Sequence, residues 1–577
     1  MDSESSQAEK KPQKMVIYQM MTRLFGNQKQ VNKTYGTLEE NGVGKFDDIS
    51  DKALLSLKEL GITHVWYTGI IEHAVLTDYT ANGIPLDDAD VVKGRAGSPY
   101  AIKDYYDVNP DLAVHVEKRM EEFELLVERT HRNDLKVIID FVPNHVARAY
   151  HSDKKPDGVR DLGEGDDNTK AFLASNNFYY LPGESFQVPA DYNSLGPDNS
   201  FPTKDGKFEE TPAKVTGNNQ FTASPGINEW FETVKLNYGV DMLNNNTTHF
   251  EPIPDTWIKM RDILLYWVKK GVDGFRCDMA EMVPVEFWQW AIPQVKQANE
   301  NVTFIAEIYN PSAYRDYIKK GGFDFLYDKV QLYDTLRLLI NGKSATTDIP
   351  NIQSSLEGIN ANMLHFLENH DEQRIASPFF AGDPWKAIPA MLISSVVDRG
   401  PVMIYFGQEV GEPGAGVEGF QGDDGRTTIF DYWGVPEHQK WLNGGRYDGG
   451  QLSAEQKKLR ATYSKLLNLA KSSPAIVAGG TIDLTTHNVS SGNINSSIYA
   501  CLRNAPDEVL LVVAGFNPDE QSIVLEIPEK VLSEIGLSSG EINARAIFGR
   551  NGVQKVISNK LNINLPPYGA IVFKLEG

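Results

Sequence analysis

Hydrophobic positions along most of the chain follow two periods in turn. Stretches with apolar residues three and four positions apart predict amphipathic helices, and the short β-branched or aromatic runs that follow them predict strands. The helix–strand pairs are 51–60 with 63–67, 121–132 with 136–142, 257–270 with 272–277, 285–298 with 302–308, 313–320 with 323–327, and 385–397 with 401–406. Such units indicate a parallel sheet, and their number favours an α/β fold closed into an eight-stranded (β/α)8 TIM barrel.

One long interval breaks this alternation. Residues 146–237 are rich in Gly, Pro, Asp and Asn and show no clear helix–strand rhythm. Because the interval is too long for a plain loop, we expect a small inserted domain after the third strand. A segment placed there lies at the carboxyl end of the barrel, where barrel enzymes build their active sites.

The pattern changes again near residue 470. Short alternating or apolar runs separated by turn residues then predict an antiparallel all-β module, and they lie at 482–484, 497–502, 509–516, 522–527 and 570–573. The predicted organisation is a disordered leader at 1–14, a barrel at 15–145 and 238–470, the inserted domain at 146–237, and the β module at 471–577.

Composition narrows the possible partners. The 577 residues carry a formal net charge of −22, which argues against nucleic acid because phosphate binding needs a basic face. The chain has no run of eighteen apolar residues, so no transmembrane segment is expected. The two cysteines, Cys277 and Cys501, cannot form a disulfide framework, and we expect two buried free thiols.

The first residues, Met1 to Gln13, are polar and lack the apolar core of a signal peptide. They are typical of a cytoplasmic protein that starts with a tail, or of an exported protein whose signal has been removed, leaving a polar tether. We favour export, to the periplasm, the cell surface or the medium, and keep the cytoplasm as the alternative.

Polar motifs follow four of the apolar runs. The strings are Asp140-Phe-Val-Pro-Asn-His145, Gly274-Phe-Arg-Cys-Asp278, Phe304-Ile-Ala-Glu307 and Phe366-Leu-Glu-Asn-His-Asp371. If these strands are parallel neighbours, Asp278, Glu307 and Asp371 meet at one end of the sheet. Three acids without a lysine cluster or a Cys/His metal set suit glycosidic bond cleavage, in which one acid attacks the sugar and another protonates the leaving oxygen.

Local context suggests how two of these acids differ. Side chains alternate along a strand, so Arg276 and Asp278 face the same side, and Arg276 is expected to lower the pKa of Asp278 and keep it ionised as a nucleophile. Glu307 follows an apolar run, which is expected to raise its pKa and keep it protonated as a general acid. Singly, these motifs also fit a structural ion pair or a solvated acid, and only their conjunction favours catalysis.

Neutral polar side chains beside the acids suit a sugar ligand. His145 and His370 can donate to sugar hydroxyls, and Tyr100 offers a ring to the apolar face of a pyranose. Hydrogen bonding within a loop and packing in the core are the plainer alternatives for each of them. Zinc is disfavoured because no His-x-x-x-His or cysteine pairing accompanies these residues.

Together these motifs resemble those of the α-amylase family of glycoside hydrolases, over residues 16–575. The four strings resemble the family's third-, fourth-, fifth- and seventh-strand motifs, and Gly400-Pro-Val-Met-Ile-Tyr-Phe-Gly-Gln-Glu409 resembles its eighth-strand signature. Tyr100 stands four residues before Asp104, and Arg374 stands three after Asp371, as in the family.

The resemblance implies a retaining mechanism on α-glucosidic bonds, with Asp278 as nucleophile, Glu307 as acid/base, and Asp371 as the group that distorts and stabilises the sugar. It makes the inserted segment a domain B and the C-terminal module a β-sandwich. It implies no cofactor for catalysis and a possible structural Ca2+ with Asn144 as a ligand. The substrate-binding residues that it implies are Tyr100, Asp104, His145, Arg276, His370 and Arg374.

Departures from the family pattern refine these expectations. Ala306 stands where glycine usually precedes the acid/base, a small change that we expect to be tolerated. Glu281-Met282 stands where many amylases have Lys-His, near substrate and a structural calcium, which puts the calcium site in doubt. Val234-Lys235-Leu236-Asn237 is similar to the neopullulanase and maltodextrinase type of domain B motif, and not to that of the 1,6-glucosidases.

The expected function is therefore hydrolysis of α-1,4-glucans or maltooligosaccharides. A 4-α-glucanotransferase is the enzymatic alternative, because a sugar hydroxyl can resolve the same covalent intermediate in place of water. A non-catalytic glycan-binding protein is the third possibility. It would require a broken catalytic position, whereas Asp278, Glu307 and Asp371 are all present.

Overall fold

A computed structural model describes residues 12–197, 200–537 and 541–577. Eight parallel strands close into a barrel in which consecutive strands pair and the first pairs with the last. They are β1 (Val16–Met21), β2 (His64–Thr68), β3 (Lys136–Phe141), β4 (Gly274–Cys277), β5 (Thr303–Ala306), β6 (Phe325–Tyr327), β7 (Met363–Phe366) and β8 (Val402–Tyr405). The predicted TIM barrel is confirmed, while most of the predicted leader, residues 1–11, lies outside the described residues.

A helix follows each barrel strand and buries its apolar side in the barrel core. In α1 the Ser50 side chain accepts a hydrogen bond from the Ala53 amide at the start, and Gly61 ends the helix at a φ of 110°, which glycine adopts without strain. The helices are α1 (Asp51–Leu60), α2 (Arg119–Arg132), α3 (Asp255–Lys269), α4 (Val285–Ala298), α5 (Tyr314–Lys319), α6 (Asp334–Ile340), α7 (Ile388–Val396) and α8 (Ala454–Ser472).

The connection between β3 and α3 is the interval that sequence predicts as an inserted domain. Its regular structure is short strand pairs, of which His145–Ala147 with Thr233–Lys235 is the one nearest the barrel. Tyr180–Leu181 pairs with Ala213–Lys214 farther out. The first pair ties both ends of the interval to the rim of the barrel, so residues just before Thr233 are held beside the strand ends.

Shorter elements fill the remaining connections. Ile71–His73 pairs with Ile102–Val108 after β2, and Val240–Asp241 pairs with Thr247–Thr248 before α3. Short helices lie at Thr22–Phe25, Leu38–Asn41, Asp348–Ser355, Pro436–Leu442, Pro474–Val477, Thr485–Ser490 and Glu529–Glu534.

The C-terminal module is antiparallel, as predicted. Six of its eight strands form one sheet, and the other two pair with each other. In order across the large sheet these are β9 (Gly480–Asp483), β10 (Ile498–Ala505), β11 (Glu508–Gly515), β16 (Ala570–Glu576), β13 (Ile542–Phe548) and β14 (Val553–Val556), while β12 (Gln521–Glu526) pairs with β15 (Lys560–Leu565). Leucines and isoleucines from both layers share one core, as in a β-sandwich.

Three strands of this module, β13 to β15, are absent from the sequence prediction. They bury only every second residue or fewer, and polar or charged residues occupy most other positions. The two cysteines, Cys277 and Cys501, are free and buried, as predicted. Across the described ranges, no helix is long and apolar enough to cross a membrane.

A buried histidine links three segments of the barrel. His365, on β7, lies with its Nδ1 3.3 Å from Asp328 and its Nε2 3.0 Å from Asp398. Burial alone lowers the pKa of His365, but the two carboxylates outweigh burial and raise it to about 9. The imidazolium is therefore part of the folded barrel at neutral pH.

We expect this group to make stability depend on pH. A folded pKa above the ordinary value of 6.5 stabilises the protein fully below about pH 6.5, and that stabilisation disappears as the pH rises through about 9. The difference corresponds to roughly 3 kcal/mol. Denaturant unfolding at pH 6.5 and 9 should show a loss in the wild type that His365→Gln lacks, and equal losses in both would contradict the assignment.

Candidate active site

The three predicted catalytic acids lie at the carboxyl ends of barrel strands. Asp278 follows β4, Glu307 follows β5, and Asp371 lies beyond the end of β7. The Glu307 amide donates to the Cys277 carbonyl at 3.1 Å, so the ladder between the two strands continues to the first two acids. A cavity of about 180 Å³ opens over them, lined by Lys93, Ser98, Tyr100, His145, Trp230, Glu232, Thr233, Asp278, Met279, Glu307, His370, Asp371, Ile429 and Phe430.

One guanidinium joins the carboxylates below this cavity. Arg276 Nη1 lies 2.8 Å from Asp278 and 3.3 Å from Asp140, and its Nη2 lies 3.0 Å from Glu307. The Arg276 side chain is fully buried. Register explains the arrangement, because Arg276 on β4 is level with Asp140 on β3, and Asp278 is two residues further on the same side.

Rings enclose the same guanidinium. It lies 5.2 Å from the ring centre of Trp66 and 5.4 Å from those of Tyr100 and Tyr327. The Tyr327 hydroxyl also accepts a hydrogen bond from Arg276 Nε at 3.1 Å. A cation held by carboxylates on one side and aromatic faces on the other has little freedom to move.

Glu307 is held by two hydrogen-bond donors and one ion pair. Its Oε2 accepts from the Met279 amide at 2.8 Å and lies beside Arg276, while its Oε1 accepts from the Tyr309 hydroxyl at 2.6 Å. Burial raises the pKa of Glu307, and the Asp278 carboxylate raises it further, against the opposite effects of these partners. The sequence-based expectation of a raised pKa at Glu307 agrees with this environment.

The expectation for Asp278 needs a correction. Burial raises the pKa of Asp278 by more than Arg276 lowers it, so the pKa lies above its ordinary value and not below it. Asp140, which also accepts from Trp66 Nε1 at 2.9 Å, has its pKa raised by burial to about 7 despite Arg276. A single cation cannot offset the desolvation of three carboxylates.

Asp371 lies at the more open edge of the cavity. Its side chain is 43% exposed, and its Oδ2 lies 3.1 Å from His370 Nε2. The Tyr100 hydroxyl is 2.6 Å from the same nitrogen, and the rings of Tyr100 and His370 stack at 5.1 Å. Partial desolvation by the cavity around the carboxyl group and, next, the Glu307 carboxylate both raise the pKa of Asp371, although part of the side chain reaches solvent.

His145 faces the nucleophile candidate from the other side. Its Nε2 is 4.0 Å from Asp278 Oδ2, and burial lowers its pKa to about 4, so the ring is neutral at neutral pH. Trp230 packs against it with ring centres 5.3 Å apart, at a φ of 46° that is uncommon for a bulky residue.

The sequence analysis missed several residues of the site. Tyr309 could have been found, because it stands two residues after Glu307 and therefore close to the same strand end. Trp230, Lys93 and Glu232 belong to irregular segments, whose path across the cavity no periodic pattern predicts.

The geometry agrees with comparison to known proteins. A family model described as the α-amylase catalytic domain matches residues 30–479. This chain belongs to the α-amylase family. Family members are glycoside hydrolases, so the predicted family and class of enzyme are confirmed.

Individual α-amylase relatives are distant. The α-amylase of Streptomyces lividans is 23% identical over 568 residues, covering 90% of this chain but 55% of that protein, so the chain spans about half the length of that relative. Alpha-amylase 3 of Dictyoglomus thermophilum is 25% identical over 505 residues, 82% of each protein. A maltogenic α-amylase structure from Thermotoga neapolitana superposes with a TM-score of 0.60 at 18% identity, covering 98% and 99% of the two chains, and shows the shared fold.

Two α-amylase positions predicted to bind substrate lie away from the cavity. Asp104 is fully buried and accepts hydrogen bonds from the Ser152 hydroxyl and from the amides of Tyr106, Asp153 and Lys154. These four donors occupy both of its oxygens and make it an anchor for the start of the inserted domain. Its contact with substrate stays a prediction.

Arg374 also lies outside the cavity lining. Its guanidinium is fully buried and pairs with Glu368 at 2.9 Å, with further bonds to the Phe406 carbonyl and the Thr427 hydroxyl. The position of Arg374 three residues after Asp371 predicts that it lies near the site. In the structure its side chain points toward the end of β8, where it bonds to the Phe406 carbonyl. Tyr100, His145 and His370 do line the cavity, and Arg276 lies directly beneath it.

The side chain of Asn144, the predicted calcium ligand, already makes hydrogen bonds to other groups of the protein. Its Oδ1 accepts a hydrogen bond from the side-chain nitrogen of Lys235, which also donates to the Met282 carbonyl at 3.0 Å. Asn144 Nδ2 donates to the Gly217 carbonyl at 2.8 Å. Burial lowers the pKa of Lys235 to about 7, so its nitrogen is only partly charged at neutral pH. In either protonation state it donates to Asn144 Oδ1 and occupies that oxygen, so the arrangement does not fit Asn144 as a calcium ligand.

We therefore expect chelators to leave this junction intact. Any change that EDTA or added Ca2+ makes in the melting temperature or the activity should be the same in the wild type and in Asn144→Ala. Lys235→Met, which keeps the aliphatic stem but leaves Asn144 Oδ1 without its donor, should lower the free energy of unfolding by about 1–3 kcal/mol. Strong stabilisation of the wild type by Ca2+ that Asn144→Ala abolishes would refute this expectation.

Proposed function

We propose that this chain is a retaining α-glucoside hydrolase that acts on α-1,4-glucans and maltooligosaccharides through a covalent glycosyl-enzyme intermediate. The observation that carries the proposal is the single guanidinium of Arg276, which lies within 3.0 Å of both Asp278 and Glu307 under the cavity. Sharing one guanidinium holds the two carboxyl groups near each other, which favours the short separation of retaining enzymes over the wider gap of inverting enzymes.

The environments of the two acids support different roles. Arg276 orients Asp278, and the neutral ring of His145 faces the same carboxyl group. A carboxylate held in this way suits attack on an anomeric carbon. Burial and the Asp278 carboxylate raise the pKa of Glu307, which favours the protonated form that donates to the leaving oxygen. After the leaving group departs, the same carboxylate accepts a proton from water, which then attacks the intermediate.

The remaining residues suit recognition of a neutral sugar. Asp371 and His370 offer an acceptor and a donor 3.1 Å apart at the cavity edge, and Tyr100 contributes an aromatic ring. The names of two relatives, both α-amylases, support α-glucans as the substrate class. Lys235 in the Val234–Asn237 motif supports maltodextrins over α-1,6-linked sugars within that class.

Replacing each proposed catalytic acid tests the assignment. Asp278→Asn and Glu307→Gln should each lower kcat on maltotriose by at least about 10²–10⁴-fold, because one loses the nucleophile and the other the proton donor. Azide should rescue Glu307→Gln on a substrate with an activated leaving group and yield a glycosyl azide of retained configuration. Near-normal turnover of Asp278→Asn would refute its role, and products longer than maltotriose in the wild type would indicate transfer to sugar.

Tyr309→Phe tests the role of Glu307 through pH. The tyrosine hydroxyl donates to Glu307 Oε1 at 2.6 Å and so lowers the pKa of that carboxyl. Its removal should raise that pKa and move the alkaline limb of kcat/KM to higher pH, with a reduced kcat from poorer orientation. Tyr314→Phe, whose buried hydroxyl has no hydrogen-bond partner within the described ranges, is the matched control. An unshifted alkaline limb would mean that another group supplies the proton.

A further inference from the structure

An ion pair that the proposed mechanism does not use forms part of the wall of the same cavity. Lys93, in the loop after β2, lies with its Nζ 2.8 Å from Glu232 Oε1, in the inserted domain. The two side chains are 12% and 5% exposed, and both residues line the cavity with Asp278 and Glu307. Burying an ion pair costs desolvation free energy that the attraction between the two charges often fails to offset. A purely structural role therefore explains this pair poorly.

An aromatic cluster backs this pair. The Lys93 ammonium lies 5.9 Å from the ring centres of Phe231 and Phe430 and 6.0 Å from that of Phe420. Tyr192 packs behind them, with its ring centre 4.5 Å from that of Phe231. The wall therefore joins the β2 loop, the inserted domain and the segment after β8.

The two sides of the cavity differ in access. Asp371, on one side, has 43% of its side chain exposed, whereas Lys93 and Glu232 are almost covered. The covered ion pair and the rings behind it therefore form a part of the cavity wall that solvent hardly reaches, whereas Asp371 lies at an open edge.

The pair also has unused hydrogen-bonding capacity. Glu232 Oε2 is buried and has no hydrogen-bond partner anywhere in the part of the chain that the structure describes. A lysine ammonium has three donors, and a carboxylate has more than one acceptor position. A cation beside a carboxylate presents both kinds of group, as adjacent hydroxyls of a sugar require.

We propose that Lys93 and Glu232 form a sugar subsite that binds the hydroxyls of a terminal glucose unit, so that cleavage starts from chain ends and not from internal bonds. This inference rests on the proposed function, because it assigns the subsite to an α-glucan. The expected substrates are short maltooligosaccharides and the ends of longer chains.

The mode of cleavage is tested on the wild-type protein. During digestion of amylose, a chain-end enzyme retains most of the iodine colour while reducing ends accumulate, and it forms short products from the start. Loss of most of the iodine colour after only a small percentage of bonds is broken would overturn the proposal even if hydrolysis itself is confirmed.

Binding tests the subsite independently of turnover. In an Asp278→Asn background, Lys93→Ala with Glu232→Ala should weaken maltotriose binding roughly tenfold or more by calorimetry, because charge-assisted hydrogen bonds are lost. Lys320→Ala with Glu286→Ala, which removes an ion pair of 2.6 Å on the outer surface, is the matched control and should bind as its parent.

Single variants guard against misfolding. If the double variant melts early, Lys93→Met and Glu232→Gln, which preserve side-chain shape, take its place, and each should weaken binding in the same direction. Unchanged affinity in folded variants would overturn the subsite. Absence of any α-glucan cleavage by the wild type would instead overturn the proposed function, while the binding comparison would still decide whether the pair holds a sugar.

Discussion

The site depends on the burial of one cation among three carboxylates. Arg276 is fully buried and reaches Asp140, Asp278 and Glu307, which belong to three neighbouring strands or their ends. These groups could not be buried together without it, because an unpaired carboxylate in an apolar interior is far more costly than a paired one. The same contacts fix the orientation of both proposed catalytic acids, so the barrel and the chemistry share one electrostatic requirement.

The charge balance around Arg276 has a consequence for protons. One positive charge faces three buried acids, and burial raises the pKa of all three, that of Asp140 to about 7. Part of the negative charge is therefore removed by protonation near neutral pH, and not by a second cation. A general acid needs a proton kept within this group. The excess of carboxyl groups over cations, which makes the site costly to bury, therefore also supports proton donation.

Sequence could predict the parts of the site that regular structure positions. Asp278, Glu307 and Asp371 follow apolar strands, and parallel strands bring their carboxyl ends together, so their meeting followed from pattern and topology. The same reasoning did not extend to Asp104 and Arg374, which do not line the cavity, because closeness in sequence to a site residue does not decide which way a loop turns the side chain. It also could not predict whether Arg276 or burial would dominate the pKa of Asp278, since that depends on how completely water is excluded.

What lies outside regular structure determines the shape of the cavity. The inserted domain supplies Trp230 and Glu232, and it is tied to the barrel by the pairing of His145–Ala147 with Thr233–Lys235. That short pairing sets the position of the cavity wall relative to Asp278, because His145 at one end of it lies 4.0 Å from that carboxylate. The hydrogen bond from the Lys235 side chain to Asn144, the residue before His145, further stabilises this pairing. A change in the length of the inserted domain would therefore alter which chains fit, while the acids on the barrel strands stay in place.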